Sequence, residues 1–188
     1  MSLDLLKIFD EFVQDYGSLR LAHHHTRSSF TLRELNYFFE LGQRKNYESF
    51  TEDMTGSLRL MDLSWWDNYS NGYWHNLVLH LERENLWNKD EETLLKLFQK
   101  DRNHVPSNVI GMIPVPDQKR IDELLKIAQS TCNVDNALLI FRVNPYTNTG
   151  HRMKAYLFKR NQIAEYKVAY VYENPTTKYL FMNFNSPD

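Results

Sequence analysis

The chain has 188 residues, with 22 Lys plus Arg against 24 Asp plus Glu and a formal charge of −2, which is room for one domain with its own hydrophobic core. The near-balance excludes a global electrostatic pull toward nucleic acid or an anionic membrane, so any such binding has to come from a local patch. A single cysteine, Cys132, excludes an intrachain disulfide framework and a cysteine-rich zinc site and suits a reducing cytosol.

From Met1 to Tyr16 there is no basic leader and no small-residue cleavage site. Leu5, Ile8, Phe9, Phe12 and Val13 fall at helical spacing and predict a packed amphipathic helix. No apolar stretch reaches the roughly 18 residues needed to span a bilayer, so the expectation is a cytoplasmic protein with no membrane partner. Gly17 to Ser29, with His23-His24-His25, reads as a polar connector. Three consecutive side chains of regular structure do not face one point, so the triplet reads as surface rather than as a metal site. Thr31 and Glu34 have capping-box spacing and predict a helix from Leu32 to about Arg44. Asn46 to Thr55 is less regular.

Two apolar runs follow, Leu58 to Trp66 and Trp74 to Glu84, joined through Asp67 to Gly72 with an Asn71-Gly72 turn signal. The second run also fits helical spacing through Trp74, Leu77, Val78 and Leu81. The strand reading is adopted, and it has a chemical consequence. Alternation puts Glu82 and Glu84 on one face, with Asp62 of the first strand able to lie opposite them. Carboxylates that close repel unless a cation or proton lies between them, which predicts a hard divalent ion, Mg2+ before Ca2+. Asp62 is flanked by Leu60, Met61 and Leu63, and a half-buried acid wants a partner: a metal, Arg59 or Arg83. The plainer reading of Glu82 and Glu84 is a solvated strand end. His80 would share the Glu82 face as a packing or supporting residue.

Asp90-Glu91-Glu92 suits a helix N-terminus, continued by Leu94, Leu95, Leu97 and Phe98 to about Asp101. Val109 to Val115 is a short apolar segment. Asp117 then caps a helix with an Ile121, Leu124, Leu125, Ala128 face. Ala137 to Val143 is a continuous apolar strand. Arg152 to Arg160, Ile163 to Tyr172 and Lys178 to Phe184 predict an antiparallel β-meander that extends or flanks the first sheet. On its first strand Arg152, Lys154, Tyr156, Phe158 and Arg160 fall on one face, where basic groups would meet phosphates and aromatics would stack on bases. An ordinary solvent face is the simpler alternative. The fold expectation is α/β (α+β): a mixed sheet flanked by helices with a C-terminal meander, in a single domain. Within it, 1–30 is a helix and connector, 31–144 the α/β core and 145–188 the meander.

The order helix, strand with Asp62, strand ending in Glu82-Arg83-Glu84, helix, strand, helix, strand resembles the restriction-endonuclease-like, or PD-(D/E)XK, superfamily over about 31–144. Met61-Asp62-Leu63-Ser64-Trp65-Trp66 followed by Leu79-His80-Leu81-Glu82-Arg83-Glu84-Asn85 carries the likeness. Met61 stands where Pro is usual, and Glu84 where Lys is usual; some members move that lysine to the next helix, where Lys96 is the candidate. The resemblance implies that Asp62 and Glu82, with the Arg83 carbonyl, hold Mg2+ against a scissile phosphate, with Glu84 or Lys96 orienting the attacking water. Glu34 or Glu40 would add a ligand, as helix glutamates do in some members. The functional expectation is a Mg2+-dependent nuclease, or a catalytically degenerate relative, acting on nucleic acid. The alternative is a non-enzymatic module that holds a protein partner through the aromatic meander. A DNA-binding regulator with a helix-turn-helix in Leu32 to Thr55 is disfavoured by the acidic balance and the lack of a basic recognition helix.

Overall fold

The computed structural model describes residues 2–54, 60–99, 104–145 and 150–186. Its frame is one mixed sheet of eight strands lying side by side in chain order. They are β1 (Glu48–Asp53), β2 (Met61–Ser70), β3 (Tyr73–Arg83), β4 (Asn108–Val115), β5 (Asn136–Val143), β6 (Arg152–Lys159), β7 (Gln162–Glu173) and β8 (Leu180–Asn183). β3, β4 and β5 are parallel, and every other neighbouring pair is antiparallel. The parallel connections need crossovers, supplied by α3 (Asp90–Leu97) and α4 (Gln118–Thr131). Both cover one face of the sheet, while α1 (Leu5–Asp15) and α2 (Arg27–Arg44) cover the other.

This arrangement explains the sequence patterns. β4 and β5 are buried at every position, as strands covered on both faces must be, and they read as unbroken apolar runs. β2 and β3 are buried only toward Met61 and Arg83, and their other ends project past the helices as a hairpin. Trp74 to Arg83 is therefore strand and not helix, and Glu84 follows its end. Asn71 (φ 52) and Gly72 (φ 82) form the two-residue turn, closed by Ser70 opposite Tyr73. Asp67 to Ser70, expected in the connector, continue β2. Trp65 and Trp66 are fully buried, the first against the α1/α2 layer and the second in a small cluster with Met61 and Leu77.

Three expectations are corrected. α2 begins at Arg27, where Thr26 Oγ1 accepts the Ser29 amide at 3.2 Å; Thr31 lies inside the helix and Glu34 is no capping partner. The stretch around Asn46 to Thr55 contains an edge strand, β1, whose polar composition hid it: an edge strand has one ladder to satisfy and tolerates charge. α3 ends at Leu97, short of Asp101. Leu58, Arg59 and Asp101 lie outside the described residues. The C-terminal meander is present and joins the same sheet through β6 beside β5. Among the described residues no helix is long and apolar enough to cross a membrane.

Candidate functional site

At the C-terminal end of β3 the ladder with β2 opens. Pairing stops at Leu63 opposite Leu81, and beyond it two carboxylates take over the freed backbone donors. Asp62 Oδ2 accepts the Arg83 amide at 2.8 Å, and Glu82 Oε1 lies 3.3 Å from the Asp62 amide. On the other side, the Glu84 amide bonds the Met112 carbonyl at 2.9 Å, and Pro114, lacking an N–H, offers no donor to continue the pairing. Asp62 and Glu82 are thus held where three strands part, in a cleft of about 240 Å³ that Glu84, Lys89, Thr93 and Lys96 also line.

Lys96 Nζ, on α3, stands 2.5 Å from Glu82 Oε2, and His80 Nε2 is 2.6 Å from Glu82 Oε1. His80 is buried on the Glu82 face of β3, the supporting position expected for it. The approach of α3 depends on Gly111, which pairs opposite Glu82: a Cβ there would stand 2.6 Å from Leu97 Cδ1, on the residue next to Lys96. Glu84 enters the same cleft, but its Oε1 accepts the Asn85 and Leu86 amides at 2.6 and 2.7 Å and so ties down the chain leaving β3. Burial, and next the Glu82 carboxylate, push the Asp62 carboxyl up to about 6, against the opposing pull of the Arg83 amide and Lys96.

Behind the cleft, Arg83 points to the opposite face, as the residue after Glu82 on a strand must. There its Nε lies 2.7 Å from Glu34 Oε2, and Tyr16 and Arg142 complete a buried cluster around Glu34. Burial raises the Glu34 carboxyl, but the Arg142 and Arg83 guanidiniums more than offset this and hold it below its usual range. Neither helix glutamate reaches the cleft: Glu34 is across the sheet, and Glu40 lines a different cleft with Arg33 and Tyr37. Among the described residues no three His, Cys, Asp or Glu side chains are grouped to hold an ion. Asp62 and Glu82 offer two carboxylates, a number with which Mg2+ is commonly held, and Glu82 already contacts His80 through Oε1 and Lys96 through Oε2, which an ion taken there would have to displace.

On β6 the expected shared face holds from Arg152 to Phe158, and much of it is covered. Arg152, Lys154 and Tyr156 are half-buried on the α4 side; Lys154 Nζ donates to Gln118 Oε1 at 2.6 Å, and Tyr156 stacks on Tyr166 with centroids 5.7 Å apart. Phe158 is fully buried on that side, in the cluster Tyr156 packs against, and Arg160 lies in the following turn at φ 57, 3.5 Å from Asp135. The bulge beside Leu157 puts its extra residue, Ala164, on β7, so β6 keeps its alternation through Phe158 and only Arg160 leaves the face, because the strand ends at Lys159. β6 is three strands from β3, about 14 Å at ordinary strand spacing, so these residues and the cleft are separate places. Gly111 and the Arg83–Glu34 pair carried no local signal, since each owes its role to a partner distant in sequence. Compared with family models, curated proteins and solved structures, the chain matches none.

Proposed function

We propose that the chain is a restriction-endonuclease-like, metal-dependent phosphodiesterase acting on nucleic acid. The observation that carries this reading is the meeting of Asp62 and Glu82 where the β2–β3 ladder opens, with Lys96 on Glu82. The chain order supports it: α2, the antiparallel strands β1 to β3, α3, then β4 parallel to β3, with α2 and α3 on opposite faces.

In this reading Asp62, Glu82 and the Arg83 carbonyl would hold Mg2+. When bound, the ion supplies charge neutralisation at the phosphate and a more acidic bound water. The protein's own part is positional. The Asp62 carboxyl is kept in place by the Arg83 amide, and Glu82 by His80 and Lys96. Lys96 is the better-supported group for holding a water or steadying negative charge, because Glu84 Oε1 is committed to two backbone amides. The Lys96 ammonium also offsets the carboxylate repulsion when no cation is bound.

A second reading, a protein-binding module, draws on the exposed aromatics Tyr166, Tyr179, Phe181 and Phe184 of the meander edge. Calorimetric titration of Mg2+ and Mn2+ into wild type and Asp62→Asn, with a nuclease assay on the same samples, separates the two. Binding and cleavage lost together in Asp62→Asn support the phosphodiesterase; a wild type that binds neither ion supports the binding module.

A further inference from the structure

A second cavity, of about 440 Å³, lies at the C-terminal ends of the parallel strands β4 and β5. Its apolar walls are Pro114, Val115, Pro116, Pro145 and Trp87, with Asn85, Asn144 and Arg27 as the polar lining. The volume falls in the usual small-ligand range of roughly 300–1,000 Å³. Trp87 is 65% exposed, whereas Trp65 and Trp66 are fully buried. An indole left in solvent beside proline walls offers a stacking face.

The cavity adjoins the carboxylate cleft through one short segment. Glu84 lines the cleft, and Asn85, the next residue, lines the cavity with Trp87. Glu84 and Asn85 are consecutive, so the two sites share a border on this segment. Glu84 fixes this segment by accepting the Asn85 and Leu86 amides. Asn85 is fixed from behind by Arg83 and by Thr31, whose Oγ1 lies 2.9 Å from Asn85 Oδ1.

Resting on the phosphodiesterase reading, we infer that this cavity is a base subsite: it takes one unpaired nucleobase next to the scissile phosphate, stacked on Trp87, and so makes single-stranded nucleic acid the substrate. The lining matches the ligand. The apolar walls suit a stacked ring, and Arg27 brings a cation for the neighbouring phosphate. A base inside a cavity is necessarily unstacked and unpaired, which a continuous duplex does not offer.

The test measures anisotropy of a labelled mixed-sequence single strand, and of its duplex, in metal-free buffer. The expected result is tighter binding of the single strand, weakened by about tenfold in Trp87→Ala. Trp87→Phe should retain most of the affinity. Wild type that binds no single strand, or Trp87→Ala that binds it as wild type does, overturns the inference. The two readings fail separately. Mg2+-dependent cleavage that needs Asp62 but is indifferent to Trp87→Ala removes the subsite and leaves the phosphodiesterase. Trp87-dependent binding without cleavage upholds the subsite and removes the phosphodiesterase.

Discussion

Asp62→Asn should make the protein more stable at neutral and alkaline pH. The folded state raises this carboxyl from 3.8 to about 6, so between those values the native protein binds more protons than the unfolded chain. Stability associated with Asp62 is therefore fully present below about pH 4 and is lost as pH rises through about 6. A shift of about two pKa units corresponds to roughly 3 kcal/mol, and partial solvent screening of a half-buried group brings the expectation to about 2 kcal/mol. Asparagine keeps an oxygen for the Arg83 amide, 2.8 Å away in the wild type, so the substitution removes the charge and leaves the hydrogen bond. Urea unfolding followed by tryptophan fluorescence in EDTA should show the variant's midpoint raised by about 1 M at pH 8, for a slope near 2 kcal/mol/M. The gap should close near pH 4. Mg2+ should then stabilise wild type and leave the variant unchanged, since only a site that binds the ion draws the folded state down by mass action. A variant equal to or weaker than wild type at pH 8 would refute the claim that Asp62 is held against its electrostatic preference.

Other outcomes follow from the same structure. Glu34→Gln removes the counter-charge from buried Arg83 and Arg142 and should cost about 3–5 kcal/mol in urea unfolding; a loss below about 1 kcal/mol would show that the cluster does not depend on the charge. Gly111→Ala forces Leu97 away from β4 and should cost about 1–3 kcal/mol of stability. In the phosphodiesterase reading it should also lower kcat more than substrate affinity, because Lys96 moves with α3; unchanged turnover would separate Lys96 from the chemistry. His151 is pushed down to about 3 by burial, then by Arg142 and His23. The stability it contributes is complete above about pH 6.5 and is lost as pH falls toward 3, about 2–3 kcal/mol by pH 4.5. Comparing His151→Gln with wild type across that range should show the acid-side slope flattened in the variant.

Features governed by neighbours in sequence were legible without coordinates. The apolar runs of β4 and β5, the Asn71-Gly72 turn, the Asp117 cap of α4 and the three strands of the meander all follow from local backbone preference and from burial periodicity. The same alternation set Asp62 and Glu82 as candidates for one cleft, because side-chain direction along a strand is a local property. The tertiary structure decided what required distant partners. It paired the polar β1 with β2, turned Glu34 from capping residue or metal ligand into the counter-ion of Arg83, and buried or half-buried the β6 face that carries Lys154, Tyr156 and Phe158. It also brought Lys96 onto Glu82 through a glycine in β4 that has no signature of its own. Each of these rests on contacts between separate elements, where the free energy of packing and buried charge outweighs the preference written into any short stretch.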